Sequence, residues 1–195
     1  MSLKAILEAF IQVKPADLPK TEKKPEKLDE PVWLKEARKH IGMQEIKGPK
    51  HNATILRWLK DLKLPFNDDE TAWCGTFVGG VLNDAGKKQF IVKNPAGSRN
   101  WLNCGTKLDK PALGCIVVFW RGSKSGWEGH VGFCVGVDQK GNLMILGGNQ
   151  SDAVNIKPFS VNRVLGYRWP GPGPLPERYN LPVYKSNGQV STNEA

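Results

Sequence analysis

The chain has 195 residues, 39% apolar and 24% charged, with seven Trp and seven Phe, which suits one domain with a sizeable core and excludes a wholly disordered protein. A net charge of +9 favours polyanions, whether nucleic acid, anionic lipid or an anionic wall polymer, but no zinc-finger, RRM or P-loop pattern is present, so no nucleic-acid partner is expected. Cys74, Cys104, Cys115 and Cys134 are irregularly spaced, without C-x-x-C or H-E-x-x-H, and no metal site is expected.

Leu3, Ile6, Leu7, Phe10 and Ile11 recur at the spacing of one helical face. Residues 2–12 are read as a short amphipathic helix, for docking on the main domain or for an anionic outer-membrane surface. Residues 14–28 are rich in Lys and Pro and read as a linker. The first 13 residues carry no secretory pattern, which predicts synthesis in the cytoplasm and another route to any site outside it. The domain is expected over 29–170. Its first helix starts near Asp29 with Pro31 in the first turn, buries Trp33, Leu34, Ala37 and Ile41, and stops at Gly42. A second is capped by Asn52, with Ile55, Leu56, Leu59 and Leu62 inward. In the third, Trp73, Phe77, Val78, Val81, Leu82 and Ala85 repeat with helical period up to Gly86, which sets Cys74 in the first turn.

Beyond Trp101 the pattern changes to period two, predicting strands over 115–120, 130–137, 142–146, 153–157 and 164–168. Asp138 to Asn142 is a turn sequence joining the second and third of these. Helices followed by an antiparallel sheet make an α+β domain. Residues 171–195, rich in Pro, Gly and polar residues, are expected to form a tail without a packed element.

A helix N-terminus stabilises a thiolate through its free N–H groups and its dipole, and Cys74 is the one cysteine so placed. Taken alone, Cys74 reads more readily as a small buried core residue, as Cys115 and Cys134 do in their strands. His130 opens a strand whose same face carries Gly132, Cys134 and Gly136; small residues there would let a helix come close enough to join Cys74 to the imidazole. His40 and His51 sit at a helix end and in a loop and are weaker candidates. Asn149 and Gln150 follow the neighbouring strand through Gly147-Gly148, where either could orient the imidazole and where a turn asparagine is also common.

The ordered segments IGMQEIKGPKHNATILRW, DETAWCGTFVGGVLNDAG, GCIVVFWRGSKSGWEGHVGFCVG and ILGGNQSDAVNIKPF resemble the CHAP and NlpC/P60-like cysteine peptidases, in a branch found in phages and bacteria, over residues 31–170. The resemblance implies a papain-like fold, hydrolysis of a peptidoglycan amide without a cofactor, and an endolysin-like role in a monomer released to the wall through a holin. A secreted antibacterial effector with the same chemistry and a non-catalytic wall-binding module are the alternatives. It further implies Cys74 as nucleophile with its backbone N–H in the oxyanion hole, His130 as base, and Asn149 as third member, with Gln150, Glu45 and Trp73 as cleft residues. Relatives often carry Ser or Ala where this chain has Gly75, and Gly79-Gly80 puts two poor helix formers into the catalytic helix.

Overall fold

The computed structural model describes residues 29–187 and 189–191; the expected amphipathic segment 2–12 and the linker 14–28 lie outside them. Pro31 precedes helix α1 (Val32–Lys39), which buries Trp33, Leu34 and Ala37. The helix is shorter than its apolar stripe suggests. Ile41 lies beyond its end and is 47% exposed, because Gly42 takes a φ of 90° and its N–H turns to the carbonyl of Val154. Helix α2 (Ala53–Asp61) is capped by Asn52, whose side-chain oxygen accepts from Thr54 N and Ile55 N, as the sequence predicts.

Helix α3 (Cys74–Asp84) is buried from Cys74 to Leu82. Its two internal glycines have a packing cause. A Cβ on Gly80 would fall 2.3 Å from Trp58 Cγ, and one on Gly79 would fall 2.9 Å from Leu62 Cδ1. Glycine here lets α2 lie directly against α3, and the gain in packing offsets its poor helix propensity. Gly86, with φ of 69°, follows the helix end, a position that favours glycine.

Seven strands follow: β1 (Thr106–Leu108), β2 (Ile116–Trp120), β3 (Gly129–Asp138), β4 (Leu143–Gly147), β5 (Asn155–Phe159), β6 (Val164–Trp169) and β7 (Val183–Tyr184). They form one sheet in the order β1-β6-β2-β3-β4-β5, antiparallel throughout, with β7 added to β3 in parallel. Among the described residues the fold is thus α+β, three helices and a mainly antiparallel sheet. Asp138 closes the β3–β4 hairpin by accepting from Lys140 N and Asn142 N.

The C-terminal segment corrects an expectation. Residues 176–187 pack rather than trail: Leu113 N donates to Arg178 O and Val137 N to Pro182 O, and Ser186 Oγ donates to Asp138 Oδ2. Gly136 makes the room, since a Cβ there would lie 2.4 Å from Pro182 O. A two-residue strand has no periodicity to read, so only the partner edge defines it.

Candidate active site

Cys74 is the first residue of α3. Its neighbour Trp73 occupies the N-cap position and supplies no side-chain cap. The N–H groups of the first turn are therefore not taken up by a cap, and the positive end of the helix points at the thiol. Cys74 also borders a groove of about 160 Å³, between Ala72, the Ala96–Ser98 stretch and the loop from Arg121 to Gly129. The other thiols are core residues. Burial pushes Cys104 up to about 12 and Cys115 well above the ordinary thiol value, so both stay protonated at neutral pH. Cys134 is fully buried, and its Sγ faces Gly136 O.

Gly75 explains itself in the same place. A Cβ there would stand 2.1 Å from Pro95 O and 2.7 Å from Ala96 O. The chain that forms one wall of the groove therefore crosses the first turn of α3 at a distance only glycine allows.

His130 is 1% exposed and follows Gly129, which lines the groove together with Cys74. The imidazole stacks on Phe159, with centroids 5.1 Å apart and planes 5° from parallel. Its Nε2 lies 3.0 Å from Gln150 Oε1. The orientation of that amide is decided by the rest of its network: Gln150 Nε2 donates to Asn155 O at 2.8 Å and Asn155 Oδ1 at 2.9 Å, with Ile145 O at 3.3 Å. Three acceptors around the nitrogen leave the oxygen facing the histidine. An amide oxygen only accepts, so Nε2 carries the proton and Nδ1 is the basic nitrogen of the neutral ring.

Of the two adjacent amides, it is the Gln150 side chain that hydrogen-bonds the imidazole. The reason is local backbone. Asn149, Ser151 and Asp152 all have φ between 56° and 58°, so the chain after β4 turns sharply, and the buried Gln150 side chain folds back beside Gly147. A Cβ on Gly147 would lie 2.5 Å from Gln150 Oε1 and 3.0 Å from His130 Nε2. Asn149 fills the turn role that asparagine tolerates well.

The glycines that admit the helix also differ from expectation. Gly132 faces β4, where a Cβ would meet Ile145 Cγ2 at 2.6 Å, and Gly136 serves β7. The close approach to α3 is made by Gly148, whose Cβ would fall 2.5 Å from Trp73 Cζ3 and 2.6 Å from Phe77 Cβ. Phe133 meets Phe77 across the helix–sheet interface at 6.1 Å, so the contact of β3 with α3 is made at Phe133 rather than at Gly132.

Trp73 and Glu45 are not among the residues that line the groove. Trp73 is buried and donates from Nε1 to Glu45 Oε2 at 3.3 Å. Burial raises the Glu45 carboxyl above its ordinary value against the opposing pull of that bond. His51 Nδ1 donates to Asp69 Oδ1, 2.9 Å away; the buried Asp69 also accepts from Ile46 N and Asn52 N, tying the 44–52 loop down ahead of α3. His40 packs edge-on against Trp58. Among the described residues, Glu36, His40 and Asp84 bring potential metal-ligand atoms within 4.8 Å of one another. Both Asp84 oxygens are gripped by Arg57 at 2.9 and 2.7 Å, so a cation there would compete with a guanidinium.

Residues missed by sequence reading are Arg99, which fastens the loop before His130, and Trp127, which that loop carries. Arg99 donates to the carbonyls of Glu128, Lys124 and Ser123 at 2.8 to 2.9 Å. Nothing in an isolated arginine announces such a fork, because its acceptors are main-chain groups more than twenty residues away.

A comparison with protein families matches residues 66–149 to the CHAP domain. No curated protein matches the chain.

Proposed function

We propose that this chain, whose 66–149 stretch falls in the CHAP superfamily of peptidoglycan amidases and peptidases, hydrolyses a cell-wall amide by cysteine chemistry in an endolysin-like role. The observation that carries the reading is the fixed Gln150–His130 hydrogen bond beside the groove that Cys74 opens into. With Nε2 holding its proton on Gln150, Nδ1 takes the Cys74 proton. The thiolate attacks the amide carbonyl, and the oxyanion is stabilised by the Cys74 backbone N–H at the uncapped start of α3. The imidazolium returns its proton to the leaving amine, which departs and leaves a thioester. Water, deprotonated by His130, then attacks the thioester, and the acid is released with Cys74 restored.

Replacement Cys74→Ser, followed by mass spectrometry of fragments released from purified peptidoglycan, tests this. The parent is expected to release new amine and carboxyl termini, and the variant to lose release by a factor on the order of 10³ or more. Equal release by both proteins would refute the mechanism. The masses also report which amide is cut.

A further inference from the structure

Five of the tryptophans, Trp33, Trp58, Trp73, Trp101 and Trp169, are buried, whereas Trp127 is 85% exposed, the highest value among the large apolar side chains described. An exposed indole on a loose loop would mean little. This loop is fastened: Arg99 spends its whole fork on three of its carbonyls, Arg121 N donates to Glu128 O, and the Arg121 and Glu128 side chains pair at 3.4 Å. The indole is thus held out to solvent from a preorganised support, which lowers the ordering cost of binding. It lines the same groove as Cys74 and stands three positions before His130.

The groove, at about 160 Å³, is smaller than the roughly 300–1,000 Å³ of sites that enclose a whole ligand. It suits an extended amide, and bulkier parts of a wall substrate must lie on its rim. The large apolar side chain in the lining is Trp127, which shares it with the polar Arg121, Glu128 and Ser98. That pattern complements a pyranose ring, which offers a flat C–H face for an aromatic plane and polar edges for hydrogen bonds around it. A stem peptide has carboxylates and amides but no such flat face.

We propose that Trp127 is a sugar platform: it stacks on an N-acetylhexosamine of the wall and selects glycan-bearing substrate, so that the amide entering the groove is one close to the glycan strand. This rests on the wall-hydrolase reading above.

The test uses the full chain with Trp127→Ala and Trp127→Phe. An N-acetylglucosamine oligomer and a sugar-free stem peptide are titrated by calorimetry, and each is added as an inhibitor of hydrolysis of isolated wall. The oligomer is expected to inhibit competitively. Trp127→Ala should weaken its binding about tenfold and raise KM for wall about tenfold, with kcat within about twofold, and Trp127→Phe should keep most of the affinity. The platform is overturned if Trp127→Ala leaves oligomer affinity and KM unaltered, or if the stem peptide competes and the oligomer does not. A parent protein that releases nothing from wall refutes the hydrolase reading instead, whereas a parent that hydrolyses wall with oligomer affinity indifferent to position 127 refutes only the platform.

Discussion

Gln150 is neutral, so its action on His130 is to orient and to fix the tautomer rather than to add charge. Its own amide is anchored on Asn155 and Ile145, and a methyl group in its place would leave Nε2 without its acceptor and free the ring to invert the tautomer. Gln150→Ala is therefore expected to lower kcat/KM for wall on the order of 10²-fold, chiefly in kcat. Gln150→Glu, which keeps an acceptor and adds a negative charge, should recover part of the rate and move the acid limb of the pH profile upward, because a carboxylate raises the imidazole pKa. Asn149→Ala should stay within about threefold of the parent. A larger loss from Asn149→Ala than from Gln150→Ala would return the orienting role to Asn149. At this scale Cys74 was legible from sequence because helical periodicity places it in a first turn. Gln150 was legible only as a neighbour, since a run of left-handed residues decides which of two adjacent amides points inward.

Among the elements, α3 is where helix formation and packing conflict most openly, and packing wins. Gly80→Ala would improve helix propensity by about 1 kcal/mol yet drive a methyl into the Trp58 ring, buried at 0% exposure. Overpacking of this kind costs about 1–3 kcal/mol, and because the contact at 2.3 Å is with the ring itself, the cost should prevail, with Tm falling several degrees in a thermal melt. A rise in Tm would mean that α2 shifts freely. The opposite end of α3 carries a pH-dependent clasp. The Arg57 guanidinium, with the Trp58 and Asn83 side chains, holds Asp84 down to about 2 against burial. A carboxyl depressed in the folded state stabilises above its unfolded pKa of 3.8 and loses that contribution as pH falls toward 2. The parent should therefore lose up to about 2 kcal/mol between pH 4 and 2 from this group, and Asp84→Asn should flatten that part of a denaturation series while lowering stability at pH 7. The helices and strands β2 to β6 were readable because each repeats its period over several residues. Strands β1 and β7, three and two residues long, exist only through their partners.

For the whole molecule, a net charge of +9 acts at a different range from the catalytic groups. His130 and Gln150 are almost fully buried, so salt screens their interaction poorly, whereas attraction between the basic surface and an anionic wall acts over lengths near the Debye length, about 10 Å at 0.1 M salt and about 3 Å at 1 M. Encounter and chemistry should then respond to salt separately. Raising ionic strength from about 0.05 to about 0.5 M is expected to increase KM for insoluble wall several-fold, while kcat on the same wall and turnover of a short soluble muropeptide change by less than about twofold. The two substrates make the comparison decisive. A parallel loss of rate on both would show that salt reaches the groove itself, for instance by opening the Arg121–Glu128 pair at its rim, and would move the role of charge from wall capture to site architecture.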